Sequence, residues 1–178
     1  MEKNMFDNTL ILETICLYSA PVQLFLLHRT SSCFYRIISS QVFWRRKFAR
    51  DGLLQIPFTK KDYVWAWLAE YNRRREAKVA VHAFKTGSGK QVSKGPLTLE
   101  EVNSLGIKDI TPCYNNYYCE LNFCRRKGVY FYVLHVVRKV VRQPGRFYHD
   151  VKQYQSFRKE MSREAFYRLL FLYYYKLG

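Results

Sequence analysis

Residues 7–52, DNTLILETICLYSAPVQLFLLHRTSSCFYRIISSQVFWRRKFARDG, decide how this chain is read. Asp7-Asn8-Thr9 offers side-chain oxygens for helix capping just before Leu10, Leu12, Ile15 and Leu17, which are apolar at near-helical spacing. Ser19-Ala20-Pro21 stops that helix and starts a second, because proline fits a first turn but not a helix interior. Leu24 and Leu27 carry the apolar face of the second helix. Thr30-Ser31-Ser32 opens a third through Phe34, Ile37 and Ile38, and Ser39-Ser40 restarts the pattern ahead of Phe43-Trp44 and Phe48. Asp51-Gly52 ends it. Four helical pieces in 46 residues predict a helical module.

Beyond the module, residues 53–82 continue in helix. Ile56-Pro57-Phe58 reads as a turn and Thr59-Lys60-Lys61-Asp62 as a capping box. Val64, Trp67, Leu68 and Tyr71 then line one face, with Arg73-Arg74-Arg75 towards the helix C-terminus, where the dipole favours cations. From residue 79 the texture turns towards strands. Val79–Phe84 leading to Gly87-Ser88-Gly89 and Val92 predicts a hairpin. Thr98-Leu99-Glu100-Glu101 is a capping box opening a short helix that Gly106 closes. Tyr114–Cys124 and Gly128–Val137, rich in aromatic and β-branched residues about the basic turn Arg125–Gly128, predict a second hairpin. From Val136 to Arg142 strand and helix both fit, and Pro144-Gly145 ends the segment. From Asp150 the tail predicts a helix, with Tyr154, Phe157, Met161, Ala165, Leu169 and Tyr173 at helical spacing. The expected class is α+β: a helical module over 7–52, then a body over 53–178 with a helix, a small antiparallel sheet and a C-terminal helix.

Composition limits the function classes. Lys and Arg number 30 against 14 Asp and Glu, a formal net charge of +16, and aromatic residues reach 17% with 15 Tyr and 13 Phe. Such a charge argues about partners, namely nucleic acid, an anionic membrane surface or an acidic protein. The excess belongs to the body: residues 1–53 hold 7 basic and 4 acidic side chains, residues 54–178 hold 23 and 10. Five Cys without paired spacing, no visible secretory signal and no uninterrupted apolar run of membrane length predict an intracellular protein without a membrane span, in cytoplasm, nucleus or virion.

The run Leu10-Ile11-Leu12-Glu13-x-Ile15-x-x-Tyr18-x-x-Pro21-x-x-Leu24, then Thr30-Ser31-x-x-Phe34-x-x-Ile37, then Phe43-Trp44-Arg45-x-x-Phe48, resembles the F-box. Members of that family open with a Leu-Pro pair, and here Ile11 replaces the Pro. Gln23 stands where an acid is common and Ser19 where Leu is common. A Trp-containing helix soon after the box is similar to box proteins of large DNA viruses. The resemblance implies a non-enzymatic subunit that docks the Skp-type adaptor of a cullin-based ubiquitin ligase. Leu10, Ile11, Ile15, Pro21 and Leu24 would enter the adaptor groove, and Phe43 and Trp44 would anchor the far end. Arg45, Arg46 and Lys47 would speed encounter with an acidic adaptor. The basic surface of the body, Arg73, Arg74, Arg75, Arg125, Arg126 and Lys127, would hold an acidic target.

Other chemistries fit less well. None of the four His stands in a recognisable nucleophile motif, and Glu100-Glu101 and Glu160/Glu164 belong to a capping box and a solvated helical face. Gly87-Ser88-Gly89-Lys90 lacks the phosphate loop's leading Gly, since Phe84 stands there, and Gln91 stands where the hydroxyl belongs. Cys113, Cys119, Cys124 and His135 leave gaps of 5, 4 and 10 residues, of which only the middle one fits the two to four residues between paired zinc ligands, so the spacing is not that of a structural zinc site. No catalytic residue, metal or cofactor is expected. The rival readings are a nucleic-acid-binding protein, from basic clusters among aromatics, and a virion structural protein of minor-capsid type. No named nucleic-acid module fits the sequence.

Overall fold

Caps written into the sequence set most of the helix boundaries. The computed structural model describes residues 9–54, 63–87, 91–108, 117–138 and 153–178. The Asp7-Asn8 cap, the 56–62 turn and capping box, Ser88 to Lys90, Cys113 and Pro144-Gly145 lie outside them. Helices α1 (Thr9–Tyr18), α2 (Pro21–Leu27), α3 (Ser32–Ile38) and α4 (Gln41–Arg50) follow the four expected pieces. Pro21 sits in the first turn of α2, where the Ala20 N–H donates to Gln23 Oε1 at 2.8 Å. Gln23, in place of an acid, therefore still supplies a cap acceptor. Ser31 Oγ accepts the Phe34 N–H at the start of α3, and Ser40 Oγ accepts the Val42 N–H at the start of α4.

The chain divides into two units, residues 1–78 and 79–178. The boundary falls inside α5 (Val64–Thr86) rather than at 52/53. In the helical unit, Leu24, Ile38, Phe43, Trp44 and Phe48 share one core with Leu53, Val64, Trp67, Leu68 and Tyr71. The Trp44 ring stacks on Trp67 at 5.9 Å and 8°, and its Nε1–H donates to the Ile38 carbonyl at 2.7 Å. The body's first helix is thus part of the module's own core. Α module ending at residue 52 would leave the Trp44 face in water, at a cost of several kcal/mol for side chains of this size.

Helix α5 also corrects the first hairpin. Val79–Phe84 is helical, and the buried residues Trp67, Tyr71, Arg74, Ala77, Val81 and Phe84 recur at steps of three and four. The alternation Val79/Val81/Ala83 imitates a strand only over this short window. Val92 does lie in a strand, but that strand pairs elsewhere.

In the sheet unit, β1 (Gln91–Leu97), β2 (Tyr117–Arg126), β3 (Val129–Arg138) and β4 (Gln153–Met161) form an antiparallel sheet in the order β1-β2-β3-β4. The expected β2–β3 hairpin is present. Arg126 pairs with Val129 across the two-residue turn Lys127-Gly128, whose φ angles are 50° and 81°. Both central residues have positive φ, the type I′ geometry that matches strand twist, and only Gly adopts it without strain. Alternation along the strands turns Cys119, Leu121 and Phe123 of β2, with Tyr132, Leu134 and Val136 of β3, to one buried face. Helix α7 (Arg163–Leu177), capped by Ser162, covers that face with Phe166 and Tyr173, which lie 5.7 and 5.1 Å from the Phe123 ring. Helix α6 (Leu99–Ser104) carries the expected capping box: Thr98 Oγ1 accepts the Glu101 N–H and Glu101 Oε2 accepts the Thr98 N–H.

The start of the tail is strand, not helix. Tyr154, Phe157 and Met161 have helical spacing, but pairing of Phe157 with Leu134 and of Met161 with Tyr130 adds this segment to the sheet. Segment 136–138, which the sequence left open, is the end of β3. The architecture is α+β with a small antiparallel sheet and a C-terminal helix. No helix among the described residues is long and apolar enough to cross a membrane.

Candidate functional site

The expected partner-binding residues fall into two groups. Leu10, Ile11 and Ile15 are exposed on α1, by 70%, 45% and 41%. Leu24, Phe43 and Trp44 are 0%, 2% and 0% exposed and belong to the core, so the expected direct contact with a partner does not fit their position in the folded chain. Their rings and branches are what the four helices pack around. Pro21 is half-buried at the α2 start.

Sequence reasoning missed three further members of the exposed set. Tyr18 on α1 and Val22 and Leu26 on α2 are 71%, 72% and 57% exposed. Ile11, Ile15 and Tyr18 recur at steps of four and three, a stripe on a different flank of α1 from the buried Leu12 and Cys16. Val22 and Leu26 repeat one turn apart on α2. The signal was visible: α1 carries apolar residues all round, although a helix that packs on one side needs only one apolar face. The Arg50 guanidinium lies 3.7 Å from the Tyr18 ring centroid and also donates to the Leu17 carbonyl, which fixes the end of the stripe.

The basic set is likewise split. Arg45, Arg46, Arg73, Arg75, Arg126 and Lys127 are exposed. Lys47 and Arg74, expected on the surface, are 2% and 0% exposed. Lys47 Nζ donates to the Leu17 and Ser19 carbonyls at 2.7 and 2.9 Å and meets Asp51 at 3.1 Å, so it closes the C-terminal end of α1. Burial pulls the Lys47 ammonium below its ordinary range, and Asp51 offsets part of that. Arg74 is bonded to Glu70 at 2.7 Å and to the Leu54 carbonyl at 3.0 Å, beneath the Phe48 ring. Both sit in helical stripes whose other members, Glu70 beside Arg74 excepted, are apolar. Arg125 is half-buried: its guanidinium donates to the Lys85 carbonyl at 3.2 Å and the Gly87 carbonyl at 3.5 Å. That leaves Arg126 and Lys127 as the exposed cations of the hairpin tip.

The buried thiols Cys16 and Cys119 are packed in the two cores. Burial, with Glu13 adding to it, pushes the Cys16 thiol up to about 11, and burial also raises Cys124. Such thiols stay protonated at neutral pH and are weak nucleophiles. Cys119 and Cys124, five residues apart on β2, face opposite sides of the sheet, so the two cannot share one zinc ion. Among the described residues no three His, Cys, Asp or Glu side chains gather at metal-binding distance. On the face of the sheet away from Phe123, Glu120, His135 and Ser156 stand in one cross-strand row, with Ser156 Oγ 3.2 Å from His135 Nδ1. Ser156 is exposed on an edge strand, in water rather than in a cleft that would desolvate it.

No protein-family model, no curated protein and no solved structure matches this chain.

Proposed function

We propose that the helical unit is an F-box-like docking module and that the chain recruits a target to a cullin-based ubiquitin ligase through a Skp-type adaptor. One observation carries the reading. Six large apolar side chains, Leu10, Ile11, Ile15, Tyr18, Val22 and Leu26, stand exposed on the two helices that match the start of the family's motif. Runs of exposed large apolar side chains along a helix, as on α1 and α2, mark interaction surfaces. In this reading the six enter the adaptor groove, while Leu24, Phe43 and Trp44 hold α1 and α2 at the docking angle. Association is of the helix-in-groove type, carried by a few anchors. Arg45, Arg46 and Arg50 on α4 quicken encounter with an acidic adaptor. The sheet unit presents Arg126 and Lys127 to an acidic target, and the protein performs no chemistry of its own.

The test is affinity purification of the full chain from cells, comparing wild type with Ile15→Asp and Arg75→Ala. Adaptor and cullin are expected with wild type and Arg75→Ala. Ile15→Asp should lower adaptor recovery at least as much as an anchor worth ~2 kcal/mol requires, a factor of about 30. Because Ile15 is exposed, its variant should keep the wild-type circular dichroism. Recovery of nucleic acid or capsid proteins in place of adaptor and cullin would overturn the proposal in favour of the rival readings.

A further inference from the structure

The helical unit contains a cleft between α1, α3 and α4 with a volume of about 380 Å³. That lies within the range of small-ligand sites, roughly 300–1,000 Å³. Its apolar lining comes from Leu12, Ile37 and Phe43, and its charged lining from Glu13, Arg36 and Arg46. The two guanidinium groups are differently engaged. Arg46 Nη1 is bonded to Glu13 Oε1 at 2.6 Å, so that carboxylate is already neutralised. Arg36, exposed on α3, donates through Nη2 to Cys33 Sγ at 3.7 Å, and a thiol is a weak acceptor for a group with five N–H donors. The cleft therefore offers one surplus cation beside an apolar floor.

We propose that this cleft binds a ligand made of an apolar body and a single carboxylate. Arg36 takes the carboxylate in the two-pronged geometry its planar fork favours. Leu12, Ile37 and Phe43 take the apolar body. With Arg46 already paired to Glu13, the cleft has one unpaired cation and no partner for a second negative charge, which sets a carboxylate apart from a phosphate dianion. The site uses a different flank of α1 from the Ile11–Ile15–Tyr18 stripe and stands independently of the adaptor reading. Two sources could supply the chemistry: an acidic side chain flanked by apolar residues in a protein segment, or a free carboxylic acid.

The experiment is a ¹H–¹⁵N NMR titration of the full chain with four probes: 4-phenylbutyrate, its uncharged counterpart 4-phenylbutanol, the dianionic 4-phenylbutyl phosphate, and the peptide acetyl-Leu-Glu-Leu-amide. Saturable shifts are expected at the amides of Thr9, Cys33 and Arg36 with at least one carboxylate probe. The alcohol should bind about tenfold more weakly than the acid, the loss expected for one charge-assisted interaction. Arg36→Gln should weaken the carboxylate by the same factor and leave the alcohol unchanged, while Arg75→Gln alters neither. Shifts with the peptide alone assign the ligand to a protein segment, and shifts with phenylbutyrate assign a free acid; both support the site. Equal binding of acid and alcohol, stronger binding of the phosphate, wild-type affinity in Arg36→Gln, or no shift with either carboxylate would overturn it. The acid-versus-alcohol comparison on the wild-type chain stands whether or not any variant folds.

Discussion

In the helical unit, the buried Arg74 guanidinium is held by Glu70 and a backbone carbonyl, buried Lys47 by two carbonyls and Asp51, and the Tyr71 hydroxyl donates to Asp51 at 2.8 Å. In the sheet unit the interior is a stack of aromatic rings around Phe123 and Phe166, and the Tyr173 hydroxyl is buried there without a hydrogen-bond partner, as the Ser39 hydroxyl is in the helical unit. The difference follows from element length. Helices of seven and ten residues leave many terminal carbonyls inside, and long cationic side chains reach them. A four-stranded sheet satisfies its backbone through the ladder, so its filler needs only bulk.

The contrast breaks most severely at Arg74. Arg74→Met strands the Glu70 carboxylate, which is 6% exposed, and is expected to lower stability by ~3–5 kcal/mol. Adding Glu70→Leu to it should recover most of that loss. All three Trp, at 44, 65 and 67, lie in the helical unit, so tryptophan emission during urea unfolding reads this unit. An Arg74→Met variant with the wild-type midpoint would mean that the pair is not held in a desolvated core.

Alkaline pH sharpens the comparison. Burial, together with the bond to Asp51, pushes Tyr71 up to about 12, and burial pushes Tyr173 to about 12. An unfolded tyrosine loses its proton near 10, so between about 10 and 12 the folded chain binds more protons than the unfolded one. The stability from these two groups is complete below pH 10 and is lost as pH rises towards 12, by up to roughly 3 kcal/mol each. Lys47, held below its ordinary value, acts in the opposite sense up to about 10.5. Cys16 in the helical unit and Tyr174 and Cys124 in the sheet unit, all raised by burial, act in the same sense as the tyrosines, so both units should lose stability as pH rises above 10, as tryptophan emission and far-ultraviolet circular dichroism will report. Stability unchanged from pH 9 to pH 12 would show that these groups are not desolvated in the folded chain.

The smallest effects come from two matched substitutions. Tyr71→Phe removes a hydrogen bond to a charged acceptor and should cost ~1.5–3 kcal/mol. Tyr173→Phe removes an unsatisfied buried hydroxyl and should be neutral or stabilising by up to ~1 kcal/mol. Thermal unfolding of the pair decides it, and a destabilised Tyr173→Phe would show that the hydroxyl has a partner.

Much of this was legible because short-range chemistry sets it. Ser31, Ser40, Pro21, Thr98 and Gly128 act within three or four residues of themselves, and the elements they bound follow the sequence. The failures lie where distant pairing decides. Phe157 and Met161 have the spacing of a helix face until β3 claims them, and Val79–Phe84 alternates like a strand until the stripe from Trp67 onwards is followed past Arg74. The site was half legible for the same reason. Family spacing singles out apolar residues without telling which face the core, so Leu24 and Ile15 read alike although one is buried and the other exposed.

Helix α5 runs without interruption through the boundary at 78/79. Most domains can be separated by cutting an exposed linker. Here a cut at the boundary would strip the helix in the N-terminal piece of its last eight residues and leave four orphan carbonyls, and the C-terminal piece would begin with four orphan N–H groups and no cap. Gene fragments split at this point would both begin life with a frayed end, so the two units are best dissected by substitution within the whole chain.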